Sequence, residues 1–426
     1  MRRPPFVLGS RGVMDVQYTA MRSNSDSLLV LRASPGLLVS HRHQIKADST
    51  SGEGLLQTQT PQLDLEEGLG RRLLGAASVV TARTPWPLRI SWLLIPVALI
   101  WRSATPIVFW LCFGALLPLS QLIGDFTDDL AEALRSDKLS GLVSASLGNL
   151  VELIMSFTLI RGGEHEVLKL SLIGSILSNA GLVFGTSLLC AALARRREGR
   201  PALLAFDPAD AALHGCGLLL AAAAFWLHGD ASGSSLGVAW GTAGLLLVFY
   251  LADVVLQLFP AEGEGREDSE EGEAADGRAA CVALGCLGAT ALITCLVSDN
   301  LTAALDTAVG GPGISKRFVG AVLLPIAGNA CEHATAIRFA VQDRADLALG
   351  VSLGSAVQVA LFAYPCAVFL AIPYGGMDFD CGSGPARLLL LCAVLLLAVV
   401  GDGKGTAQEG LALVCFYGTA ALYFLG

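Results

Sequence analysis

Apolar residues in this chain come in long blocks, not at the alternate or three-to-four-residue spacing of a soluble fold. The longest are Leu170–Ala194, Ala211–Leu227, Leu236–Phe259, Cys281–Val297 and Leu347–Ile372. Several reach the ~20 residues that a helix needs to cross a hydrocarbon core. Shorter blocks lie at Leu93–Ile100, Pro106–Leu117, Val319–Ala327, Leu388–Val400 and Leu411–Leu425. From Trp86 onward the pattern predicts eleven membrane segments, at 88–102, 105–123, 141–160, 168–193, 208–228, 236–259, 279–298, 315–339, 346–372, 385–400 and 408–425. The first is short enough to sit partly in the interface. The fold class expected is an all-α polytopic membrane protein embedded in the lipid bilayer.

Basic residues set the orientation, because short loops rich in Lys and Arg stay on the cytosolic side. Arg195, Arg196, Arg197 and Arg200 fall between the fourth and fifth segments. Counting from that loop puts the N-terminus in the cytosol and the C-terminus on the lumenal side. Lys316 and Arg317 then lie on the far side, against the general bias. Residues 1–85 show no sustained period and lack the charged, apolar and cleavage regions of a signal peptide. They are expected to form a disordered cytosolic tail.

Composition agrees with the pattern. Hydrophobic residues make up 53% and charged residues 15%, against about 25% charged in soluble domains. Of the net charge of −9, much is concentrated in one stretch. Residues 260–278 carry eight acidic residues, among them Glu262, Glu264, Asp268, Glu270 and Glu271, against two arginines. Such a run reads as a solvated linker. It divides the membrane region into a first half, 86–259, and a second half, 279–426. No basic patch interleaved with aromatics suggests nucleic acid. The eleven cysteines include no CxxC pair and no zinc spacing, and no cofactor is expected. GDGKGT at 401–406 lacks the spacing of a phosphate loop and is read as a connection.

The two halves contain related sequences. The first reads SASLGNLVELIMSF, with Gly148, Asn149 and Glu152; the second reads LPIAGNACEHATAI, with Gly328, Asn329 and Glu332. Each is followed at the same distance by a Gly-Ser pair, Gly174-Ser175 and Gly354-Ser355, and an offset of 180 residues superimposes both motifs without a gap. The motifs fall in segments three and eight, five crossings apart, and an odd number of crossings inverts the second copy. Inverted repeats of this kind build midplane sites in secondary transporters. Five segments per repeat leave one extra helix at the N-terminal end.

Gly-Asn is a poor helix former and can open a turn, so that backbone carbonyls become available as ligands. A carboxylate in the membrane interior costs at least about 2.5 kcal/mol, so an intramembrane Glu reads as functional. Two carboxylates with Asn and Ser oxygens suit a hard cation and balance one divalent charge. Once the cation leaves, the paired carboxylates favour protons, so Ca²⁺ and H⁺ compete for the same oxygens. Mn²⁺ takes the same oxygens and is not separated from Ca²⁺ by this reasoning. An intramembrane hydrolase would need paired aspartates; Asp253 and Asp402 are the nearest approach to that pattern.

The stretches LGNLVELI, SLIGSILSN, ISKRFVGAVLLPIAGNACEH and DLALGVSLGSAVQVALF resemble those of the vacuolar Ca²⁺/H⁺ exchangers of the cation/calcium exchanger superfamily. The resemblance covers about 88–426. It implies eleven transmembrane helices, a cytosolic acidic loop, residence in a vacuolar or other acidic-compartment membrane, and exchange of Ca²⁺ for protons. Oligomeric state is left open, with a homo-oligomer among the options. The family's ion-binding glutamates correspond to Glu152 and Glu332, with Asn149 and Asn329 beside them. Ser175, Ser178, Ser355 and Gln358 match supporting polar positions, and His333 matches the family's Glu-His pair. Asp128 and Asp129 stand where the family carries two glutamates before the first motif, and by that match they belong to an access path.

Overall fold

In the computed structural model, the described residues are 90–134, 136, 139–140, 143, 146–230, 235–258, 277–309 and 314–426. The expected tail at 1–85 lies outside them, as does the acidic linker up to Asp276.

Helix α1 (Leu94–Ile100) continues a 3₁₀ turn at Ile90–Leu93. Helix α2 (Pro106–Ala133) starts with Pro at its first position, where no amide donor is needed. Helix α3 (Leu150–Arg161) begins at Asn149, and α4 (His165–Arg197) follows a tight turn. Then come α5 (Pro208–Asp230), α6 (Leu236–Leu258) and α7 (Gly277–Val309). In the second half, α8 spans 316–328, α9 is Ala330–Val341, α10 is Ala345–Leu370, α11 is Ser383–Val400 and α12 is Ala407–Leu425.

Among the described residues, eight helices are long and apolar enough to cross a membrane. Helices α2 and α7 outrun the expected 105–123 and 279–298. Each carries polar residues past the apolar block, and a helix there still satisfies its own backbone. One feature departs from an all-α chain: β1 (Leu203–Ala205) pairs antiparallel with β2 (Lys404–Thr406), where sequence reading placed only a connection. Thr406 then caps α12 by bonding the Glu409 amide, while Glu409 bonds back to Thr406.

Helices α4 and α10 are the most enclosed of the eight, with 72% of their apolar stretches buried, against 22% for α6 and 28% for α7. The two central helices are placed alike: α12 packs on the second part of α4, and α6 packs on the second part of α10. Counterparts also pair directly, α2 with α7 and α5 with α11. Both central helices contain a π turn at matching positions, Ser178–Val183 and Val359–Ala363. The turns that lead into them each hold one residue in the left-handed region, Gly163 (φ 75°) and its counterpart Asp343 (φ 60°). Asp343 takes that conformation while its carboxylate bonds Arg195 at 2.9 Å and also pairs with Arg200.

Close backbone approaches join the halves, at Gly185 with Gly410 and at Gly174. A Cβ on Gly174 of α4 would strike the Ala321 carbonyl of α8, so only glycine lets the two backbones meet there.

Candidate functional site

The two Gly-Asn motifs interrupt their helices as expected. Asn149 (φ −104°, ψ 29°) precedes α3, and Asn329 (φ −87°, ψ 13°) separates α8 from α9. Glu152 and Glu332 therefore sit in the first turn of a helix just past a break. Helix N-termini favour negative charge, which lowers the cost of holding a carboxylate at this depth.

Side chains from opposite halves interlock around these breaks. Ser175 Oγ donates to Asn329 Oδ1 at 2.9 Å, and Ser355 Oγ donates to Asn149 Oδ1 at 3.4 Å. These two bonds are counterparts under the 180-residue offset: each half's serine fastens the other half's asparagine. Asn149 Nδ2 donates to Gln358 Oε1 at 2.6 Å, and Asn329 Nδ2 to the Ser175 carbonyl at 3.3 Å. Asn149, Asn329, Ser175 and Ser178 are almost wholly buried.

Glu152 faces the opposite half's glycine, and Glu332 shares a cleft with the equivalent one. A Cβ on Gly328 would lie 3.4 Å from Glu152 Oε1, an oxygen that also lies 3.4 Å from the Ser175 hydroxyl. Glu332 lines a cleft with Gly148. The surroundings of the two carboxylates differ. Glu152 borders a pocket of about 20 Å³, room for one water, walled by Met155, Leu168, Leu172 and Pro325. The Glu332 cleft measures about 330 Å³ and is lined by Asp128, Thr335, Asp346, Ser355 and Gln358. The Glu152 side is narrow and the Glu332 side wide.

Two expected residues separate from their neighbours. Asp128 lines the Glu332 cleft, whereas Asp129 faces a different groove, beside Glu132 and Arg278. The His333 ring is 2.8 Å from Thr186 of α4, on the side facing that helix. Of the aspartates weighed for a hydrolase, Asp253 accepts from Gln257 on α6 and Asp402 accepts from the Lys404 amide.

Sequence reading missed Asn179. It is fully buried, donates to Ser355 Oγ at 3.0 Å and so extends the Ser355–Asn149 chain, while its Oδ1 has no partner. The repeat comparison conceals it, because its counterpart is Val359. Among the described residues no three His, Cys, Asp or Glu side chains cluster as metal ligands. Any cation here would be held by two carboxylates together with amide, hydroxyl and backbone oxygens, a donor set for a hard ion.

The family described as sodium/calcium exchanger protein matches residues 104–259 and 279–426, both halves without the linker between them. The chain belongs to this family. Among curated members, vacuolar cation/proton exchanger 1 of Arabidopsis thaliana is 31% identical over 343 residues, covering 75% of this chain and 73% of its own. The vacuolar calcium ion transporter of Schizosaccharomyces pombe is 32% identical over 349 residues, covering 78% and 82%. Solved structures share the fold: native YfkE superimposes with a TM-score of 0.65 at 24% identity, over 79% of this chain and 99% of its own. The H⁺/Ca²⁺ exchanger CAX gives 0.60 at 14% identity, over 83% and 92%. This member of the family is thus an integral membrane cation exchanger, and its relatives are transporters.

Proposed function

We propose that the chain exchanges cytosolic Ca²⁺ for lumenal protons by alternating access, with Glu152 and Glu332 binding either the cation or protons. The observation that carries this reading is the reciprocal pair of Ser–Asn bonds. It sets each half's glutamate against the other half's broken helix, at one shared seam. Ca²⁺ needs six to eight oxygens; the two carboxylates, the asparagine carbonyls, the serine hydroxyls and the opened backbone supply that class of donor. Glu332 Oε2 is buried without a partner, as suits an oxygen that waits for a cation or a proton.

In this reading the two halves are inverted five-helix repeats, α1 is the extra N-terminal helix, and eleven crossings place the C-terminus in the lumen. The Arg195–Arg200 loop is cytosolic, and Asp343 and Asp346 lie at its end of the molecule. The open Glu332 cleft then faces the cytosol and Asp128 lies on the way in. Occupation by Ca²⁺ draws the two carboxylates onto one ion; arrival of lumenal protons releases it. The names of the relatives favour a vacuolar membrane.

Radiolabelled Ca²⁺ uptake into proteoliposomes with an acidic lumen, with and without a protonophore, tests the coupling. Uptake that collapses with the pH gradient is the expected result. Gradient-independent uptake would refute proton coupling, and gradient-driven uptake of Mn²⁺ in preference to Ca²⁺ would reassign the cargo.

A further inference from the structure

Compared position for position, the two halves differ where they border their approaches. Leu347, at the open cleft, is 41% exposed, whereas its counterpart Val167 is 2% exposed. Residues Gly350–Gly354 beside the open cleft form a π turn, but their counterparts, 170–174, are ordinary α-helix. Lys169 stands just before that stretch and is 5% exposed. Its ammonium has three hydrogens and three acceptors: Glu166 Oε1 at 2.6 Å, Asp378 Oδ1 at 3.0 Å and the Asp380 carbonyl at 2.6 Å. Its counterpart is Leu349, so the open approach has no buried ammonium; that end is tied instead by exposed bonds, from Arg195 and Arg200 to Asp343 and from the Asp207 amide to Asp346.

We propose that Lys169 is a latch that holds the Glu152 approach shut, and that an α-to-π change at 170–174 is the movement it restrains. The proposal rests on the alternating-access reading above. If the halves are inverted copies, the second half in this conformation displays what the first half adopts when its own approach opens. A π turn adds one residue to the turn, and each residue turns a helix by about 100°. Residues before 170 would swing by that angle relative to Ser175, and the three bonds from Lys169 to Glu166, Asp378 and Asp380 could not all persist. Two of those acceptors belong to the connection between α10 and α11, so the latch ties the first half's central helix to the second half. Opening must break three charge-assisted bonds to one buried ammonium, whereas the bonds at the Leu349 end, to Asp343 and Asp346, are exposed to solvent and resist less. The latch therefore biases the resting protein towards the open Glu332 cleft.

The test reads accessibility rather than transport. Ser171, which lines the narrow pocket, and its counterpart Val351, which lines the wide cleft, are changed singly to cysteine. Reaction with a membrane-impermeant thiol reagent is followed in cation-free proteoliposomes, each rate corrected by the parent chain. With Lys169 intact, Val351→Cys should react and Ser171→Cys should not. In a Lys169→Met background, Ser171→Cys labelling from the C-terminal face should rise about tenfold or more, as expected when a strongly biased equilibrium is released. Val351→Cys labelling should fall. Unchanged rates at both positions in folded Lys169→Met protein would overturn the latch. Should Lys169→Met not fold, Asp378→Asn removes one negative charge from the latch at nearly constant shape, and the same two rates decide. A failed Ca²⁺ or proton flux assay alongside shifted labelling would refute the exchange reading and leave the latch standing.

Discussion

Glu152→Gln separates charge from shape at the seam. Glutamine keeps the heavy-atom outline, and the Ser175 hydroxyl, 3.4 Å from Oε1, can donate to an amide oxygen as it does to a carboxylate. The broken helix, the glycine contact and the Ser175–Asn329 bond all remain, so folding and insertion should be preserved. One unit of negative charge beside the cation is lost. Two unit charges 4 Å apart attract by about 4 kcal/mol at an effective dielectric of 20, and a divalent ion doubles that. Solvation regained by the freed ion offsets part of the larger figure. The lower one, ~4 kcal/mol, already corresponds to about a thousandfold weaker binding. The assay is gradient-driven Ca²⁺ uptake across a wide range of Ca²⁺ concentration, run beside a thermal melt and size-exclusion profile of the same preparation. The expected result is a normal melt with uptake lost at concentrations that saturate the unaltered protein. Uptake near the unaltered rate, with little change in half-saturation, would refute the assignment of Glu152 as an ion ligand.

Asp128→Ala removes a carboxylate from the wall of the cleft but leaves Glu332 in place, so half-saturation or Ca²⁺/Mn²⁺ selectivity should change more than maximal rate; identical competition curves would exclude Asp128 from the path. His333→Gln retains a partner for Thr186 and should leave the pH midpoint of uptake where it was, whereas a displaced midpoint would make the imidazole a proton carrier. Asp343→Gly and Asp343→Ala lose the same ion pairs with Arg195 and Arg200, but alanine must hold the left-handed φ. The alanine variant should be less stable by about 1 kcal/mol in a thermal melt, and Gly163→Ala should show a comparable loss; equal stability of the two Asp343 variants would contradict the strained turn.

The paired Gly-Asn motifs and their glutamates were legible in the sequence because backbone breaks need particular residue types, and the breaks occur at Asn149 and Asn329. The offset that aligned the motifs also aligned their cross-partners, Ser175 and Ser355. What escaped was whatever the two halves do not share. Asn179 faces no counterpart of its own kind in Val359, nor Lys169 in Leu349, so a comparison of copies passes over both. The ends of α2 and α7 escaped for another reason: hydropathy marks where helix meets lipid, not where the helix stops, and Asp125–Glu132 continue as helix beyond the apolar block. The π turns leave no trace in composition, since one extra residue in a turn does not alter an apolar stretch. The placement of His333 against Thr186 depends on which way α9 faces, a matter of packing with α4 that spacing alone does not fix.

The reciprocal fastening of serine to asparagine also bears on descent. Neither half can drift alone, because the asparagine that each serine fastens is encoded 154 or 206 positions away in the other copy. A change at Ser175 is felt at Asn329, and one at Ser355 is felt at Asn149 and Asn179. After an ancestral duplication, such a seam would keep the contact residues of both copies in step while their outward faces were free to diverge. Departures such as Lys169 and Asn179 then mark the places where the two copies took up separate duties.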